Sequence, residues 1–315
     1  MNPRMTALLA GVLLLLGGLA FFLEQRNEEA KAPSTDKLFP EATADAIDAI
    51  DLVKQGIETK MEKRNGTWIV LTENEKAADP KAVEELLADV DKLTNSDLVS
   101  TNKANHEVYE VGDTGVNVTF AKDGKDVAEF VVGKPGSDFN SSYIRPTDGD
   151  DVYRVQTYLR LKVDRGARGW RNKTLLDVPQ EDILAFSATS GDTVNRFERD
   201  GAGWKATVPF EGKVIEPKVM DIVMNSLAKI TATGFADTID VATAGLEPPQ
   251  RYVTVETADG KKHVIVIGDE NPSRQTYTRV EGDDQTYLVP VGRWNTIFRK
   301  ASEIAVPDDE TAGDS

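Results

Sequence analysis

Residues able to do acid–base, nucleophilic or metal chemistry are few or scattered in this 315-residue sequence. The two histidines, His106 and His263, stand in non-equivalent places, one before a strand candidate and one inside another. They are therefore predicted to be surface residues and not a converging pair. Cysteine is absent, which excludes disulfides, thiolate metal sites and cysteine nucleophiles together. Two acidic runs, Asp148-Gly149-Asp150-Asp151 and Glu281-Gly282-Asp283-Asp284, lack the alternating oxygen ligands and closing glutamate of a calcium loop. Asp and Gly are the residues that hairpin turns need, so turns are predicted there. The sequence contains no Gly-x-Ser-x-Gly, phosphate-binding loop, His-Glu-x-x-His or Gly-x-Gly-x-x-Gly motif. Asn65, Asn117, Asn140 and Asn172 each open an Asn-x-Ser/Thr triplet, a pattern common by chance. A carboxylate pair assembled by folding would leave no mark in a chain with 53 acidic residues, so a hydrolase stands as the least favoured reading. No catalytic residue, metal ligand or cofactor is assigned.

The elements that would position any site repeat. "KRNGTWIV" from Lys63 and "ERDGAGWKA" from Glu198 build the same turn before a tryptophan, and Trp204 follows Trp68 by 136 positions. Ile47 and Ile50 match Ile183 and Phe186 at that same offset. Asn65-Gly66 and Asp200-Gly201 favour the positive φ of tight hairpins. Each tryptophan then opens a return strand on which its ring can cover a sheet face. Downstream, Asp79 reads as a helix N-cap with Pro80 at the first helical position, and Pro217 stands in the same place in the second copy. The predicted apolar stripes are Val83, Leu86, Leu87, Val90 and Leu93, and Val219, Ile222, Val223, Leu227 and Ile230. Each copy next shows alternating strands joined through Asp-Gly-Lys and ending at Gly133 or Gly268, then a tyrosine-bearing pair with Tyr143 or Tyr277. Short helices are predicted after the last strand of each copy. Strands joined by short hairpins predict antiparallel sheets with one main helix each, an α+β fold.

Acidic residues outnumber basic ones by 53 to 37, and a net charge of −16 disfavours nucleic acid as a partner. Residues 6–23 carry no charge and are rich in leucine. As a helix they would reach about 27 Å, close to the thickness of a bilayer core. Arg4 before them and Glu24, Glu28 and Glu29 after them place the N-terminus inside. A cleaved signal peptide is the competing reading, but its apolar region is normally shorter, and Pro33 directly follows the Ala30-Lys31-Ala32 cleavage-like triplet. The expected organisation is a cytoplasmic tip at 1–5, a transmembrane signal-anchor at 6–23 and a linker at 24–44. Repeat units follow at 45–170 and 171–305, and a disordered acidic tail at 306–315.

The order of anchor, strand pair closed by Gly-x-Trp or Gly-x-Gly-Trp, proline-started helix and Asp-Gly-Lys hairpin resembles a bacterial family, the domain of unknown function four-three-four-zero. "RNKTLLDVPQEDILAFSA", with Arg171, Lys173, Leu175 and Leu176, and "GLEPPQRYVTVET" from Gly245 carry that resemblance most specifically. The resemblance covers roughly residues 47–307. It implies an envelope-side partner of an ABC-type transporter similar to those of gliding-motility systems, and it brings no catalytic residues.

The expectation is thus a non-enzymatic accessory or scaffold protein of the cytoplasmic (inner) membrane, single-pass, with its bulk on the periplasmic side. Its partners would be the membrane and an ABC permease or another envelope protein. The alternative is an ectodomain that captures a glycan, peptide or lipid. Tyr143, Trp170, Arg171, Tyr277 and Trp294 are the candidate interaction surface, although core and rim packing is the favoured role for the aromatics.

Overall fold

The computed structural model describes residues 36–208, 215–299 and 301–304. The chain divides into two compact units with the boundary between Asn172 and Lys173.

In unit 1 the strands are β1 (Ala49–Lys54), β2 (Ile57–Arg64), β3 (Thr67–Val70), β4 (Lys76–Ala77), β5 (Leu98–Ser100), β6 (Val116–Lys122), β7 (Lys125–Pro135), β8 (Ser142–Pro146) and β9 (Val152–Val155). They form one antiparallel sheet in the order β4-β3-β2-β1-β6-β7-β8-β9-β5. Unit 2 contains β10 (Thr174–Asp177), β11 (Ile183–Ser190), β12 (Thr193–Asp200), β13 (Gly203–Val208), β14 (Lys229–Thr231), β15 (Gly234–Phe235), β16 (Arg251–Thr257), β17 (Lys262–Glu270), β18 (Gln275–Val280) and β19 (Tyr287–Pro290). Its large sheet runs β13-β12-β11-β16-β17-β18-β19-β15, and β10 pairs with β14 apart from it.

From β3 to β5 the second order repeats the first, β4 alone having no counterpart in it among the described residues, and the register repeats as well. Ile50 faces Met61 where Phe186 faces Phe197, and Val118 faces Phe130 where Val253 faces Ile265. Alternation with a period of two explains why these segments are strands. Val116, Val118 and Phe120 turn inward from β6 while Asn117 turns outward. In unit 1 the inward residues pack Phe120 edge-on to Phe130 at 5.7 Å; in unit 2 Phe186 stacks on Phe197 at 4.9 Å.

This architecture corrects the predicted α+β chain led by a transmembrane helix. It is mostly antiparallel sheet, 43% strand against 21% helix. The helices are short, the longest described one being Pro217–Leu227 with 11 residues. Among the described residues no helix is long and apolar enough to cross a membrane. The residues predicted to span, 6–23, lie outside the described residues, as do the predicted tip at 1–5 and tail at 306–315.

The helix Pro80–Leu87 is shorter than its apolar stripe, because the chain re-coils at Val90–Lys92. All five stripe residues are nonetheless buried. At this break the Asp89 side chain is 1% exposed and accepts hydrogen bonds from Lys162 and, at 2.6 Å, from Lys92. Burial alone would raise its pKa, but hydrogen bonds from Lys162, Lys92 and Thr157 outweigh that and hold it below the ordinary 3.8. A folded pKa below the unfolded one stabilises the protein above the unfolded value, and that contribution fades as pH falls toward the folded one. Asp89→Asn should therefore lower stability at neutral pH by about 2 kcal/mol. It should also flatten the fall of the melting temperature below about pH 4, read by thermal denaturation across pH.

Candidate functional site

Each unit carries a groove between its second hairpin, β2–β3 or β12–β13, and its main helix. In unit 1, β2 and β3 turn at Asn65-Gly66 with φ of 51° and 84°, which is the type I′ geometry that follows the twist of the strands. That turn places Lys63 directly across from Trp68. The helix Pro80–Leu87 starts where Asp79 accepts from the backbone N–H of Lys81 at 3.0 Å and of Ala82 at 3.3 Å. Asp79 also donates its own N–H to the Trp170 carbonyl at 2.7 Å, which fixes the helix start. Asp79→Ala should cost about 1 kcal/mol in a urea titration, the usual worth of such a cap.

The resulting groove encloses about 520 Å³, with Asp45, Lys63, Trp68, Pro80, Glu84 and Leu87 among its walls. Trp68 and Leu87, 8% and 7% exposed, form the apolar floor. Asp45, Lys63 and Glu84 are exposed on the rim. An indole flanked by carboxylates suits a cationic or planar guest, since the ring face and the acids both attract positive charge.

Unit 2 repeats the device. Arg199 faces Trp204 in the same register, and the helix Pro217–Leu227 begins where Glu216 donates its N–H to the Ile304 carbonyl at 2.8 Å. The hairpin differs in detail: only Gly201, and not Asp200, has positive φ, so the loop is Gly201-Ala202 and the predicted turn shifts by one residue. The groove encloses about 250 Å³ between Glu181, Arg199, Trp204, Pro217, Asp221 and Met224. Acid, cation, tryptophan, proline, acid and apolar floor recur at offsets of 136 or 137. The difference lies in the cation. The Arg199 guanidinium lies 4.8 Å from the Trp204 ring centre. It donates from Nη2 to the Gln180 carbonyl at 2.6 Å and from Nε to that of Ile183 at 3.1 Å.

A family model described as "Domain of unknown function (DUF4340)" matches residues 68–249 and 236–308. The chain belongs to this family. A search of curated proteins finds no match.

Within this DUF4340 chain, the residues predicted as an interaction surface fall in different places. Trp170 and Trp294 are 0% exposed, which places both in the core, the role weighed ahead of contact for the aromatics, and Arg171 is 2% exposed. Trp170 closes the helix Gly166–Trp170 beneath the Arg165 guanidinium, and Arg171 pairs with Glu73 at 3.0 Å. Trp294, on the helix Val291–Ile297, donates its indole N–H to Thr276 Oγ1 at 2.6 Å. Tyr143 is half-buried on β8 with its ring 4.7 Å from Tyr109, in a small cluster with Val111, Val131 and Val152. Tyr277 is half-buried on β18. His106, predicted to be exposed, is 7% exposed, and its Nε2 lies 2.9 Å from the Asp150 carbonyl oxygen. Among the described residues no cluster of three or more His, Asp or Glu could hold a metal ion. Asp45, Glu84, Glu181 and Asp221 escaped the sequence reading; the constant offset between the copies was the signal that could have found them.

Proposed function

We propose that this DUF4340 chain is a non-enzymatic accessory protein of the cell envelope, held at the cytoplasmic membrane, that binds a subunit of an ABC-type transporter. The observation that carries this reading is the doubled groove: one sheet register is built twice with the same chemical rim around a tryptophan. A surface built twice suits recognition, because two weak contacts on one chain reinforce each other through effective concentration. The apolar stretch at 6–23 and the resemblance drawn from the linker motif support the membrane location and the transporter partner. Expressed at native level and purified in mild detergent, the chain should bring down an ABC permease or ATPase. A purification that recovers neither, with both present in the extract, would refute this function.

A further inference from the structure

We propose that the groove beside Trp68 receives an arginine side chain presented by a partner protein. This rests on the reading of the chain as a protein-binding module and adds the chemistry of what it grips. Unit 2 shows what the groove accepts, because it fills its own copy. Arg199 lies over the Trp204 indole and is tied to the Gln180 and Ile183 carbonyls. The positions matching those carbonyls in unit 1 are Ala44 and Ile47, and Ala44 lines the groove. There the cation position holds Lys63, and among the described residues no cation lies over Trp68. The unit 1 groove is about twice as large, 520 against 250 Å³. Its rim keeps the two carboxylates, Asp45 and Glu84, both exposed to solvent. A guanidinium matches this set better than an ammonium: its plane stacks on an indole while its edge donates several hydrogen bonds at once. A chain of net charge −16 also draws basic partners toward it.

The test uses the full chain in detergent with ¹⁵N-labelled tryptophan, the Trp68 indole signal being assigned by Trp68→Phe. The probe is the capped peptide acetyl-Gly-Arg-Gly-amide, with lysine and citrulline peptides beside it. The arginine peptide should shift the Trp68 signal saturably, the lysine peptide should bind at least fivefold more weakly, and the neutral citrulline peptide should not bind. Asp45→Asn with Glu84→Gln should abolish the shift, and Lys63→Ala should tighten it by removing a competing charge. Arg199→Met should open the second groove, so that the Trp204 signal moves too. No saturable shift at Trp68, equal binding of citrulline, or a shift that survives loss of both carboxylates would each overturn the proposal. Self-association of the chain that disappears in the Asp45→Asn, Glu84→Gln variant would assign the groove to a second copy and overturn it as well. The titration needs no transporter, so its failure is separate from failure of the detergent purification.

Discussion

Gly133→Ala is expected to destabilise unit 1 by about 3 kcal/mol or more, beyond the usual cost of an added methyl group in a packed interior. A Cβ at this position would stand 2.1 Å from the Tyr109 carbonyl oxygen and 2.7 Å from Val111 Cγ1. The oxygen belongs to the backbone at the end of the helix His106–Tyr109, just before Glu110 turns left-handed with φ of 56°. The strand is held just before the contact, since β7 is paired on both edges at Val132. Unit 2 repeats the crossing: a Cβ at Gly268 would lie 2.0 Å from the Ala244 carbonyl oxygen, which already accepts from the Asp269 N–H at 2.8 Å. Gly268→Ala should therefore cost as much. Gly149→Ala is the control, because nothing lies within 4 Å of its added carbon. Urea titrations followed by amide exchange in β6–β8 would measure the loss. A change at Gly133 no larger than at Gly149 would show that the crossing yields without cost.

This crossing also shows how far the sequence could be read. Both glycines were predicted as the ends of matching strands, which in fact run on to Pro135 and Glu270, and their necessity depends on a carbonyl delivered from another segment, which no local pattern encodes. The hairpins were legible because Asn65-Gly66 states its own φ requirement and the flanking residues alternate with a period of two. The main helices were legible at their starts, where Asp79 and proline act locally, and less so along their faces. In Pro217–Leu227 the buried stripe is Met220, Val223, Met224 and Leu227, while Ile222, predicted to face inward, is 50% exposed. Branched apolar residues outweighed the flexible methionines in that reading, although methionine fills irregular core space well. Just past the end of Pro80–Leu87, Asp89 pairs with Lys162, a partner 73 positions away that no local pattern could announce. The groove was least legible of all. An exposed Asp45 or Glu84 alone reads as ordinary surface charge, and only the matched Glu181 and Asp221 mark them as part of a pattern.

The aromatics carried two readings, core packing ahead of a contact surface, and Trp294 gives the sharpest test between them. Trp294→Ala should destabilise unit 2 by about 3–5 kcal/mol, the range for emptying a buried aromatic site. The side chain is fully buried on a helix of 7 residues, too short for apolar periodicity to announce which face turns inward. Its indole N–H ends in a buried hydroxyl pair: Thr276 Oγ1 lies 3.3 Å from Thr278 Oγ1 and donates to the Val289 carbonyl at 3.1 Å. Thr276 and Thr278 are 1% and 0% exposed, so truncation leaves both a void and a hydroxyl stripped of one partner. Trp294→Phe keeps most of the volume and forfeits the hydrogen bond alone, which sets its cost at about 1–2 kcal/mol. The ordering alanine, then phenylalanine, then wild type in urea midpoints follows from a core residue. A surface contact would behave differently: Trp294→Ala would leave the midpoint unchanged and weaken only the recovery of a partner in detergent.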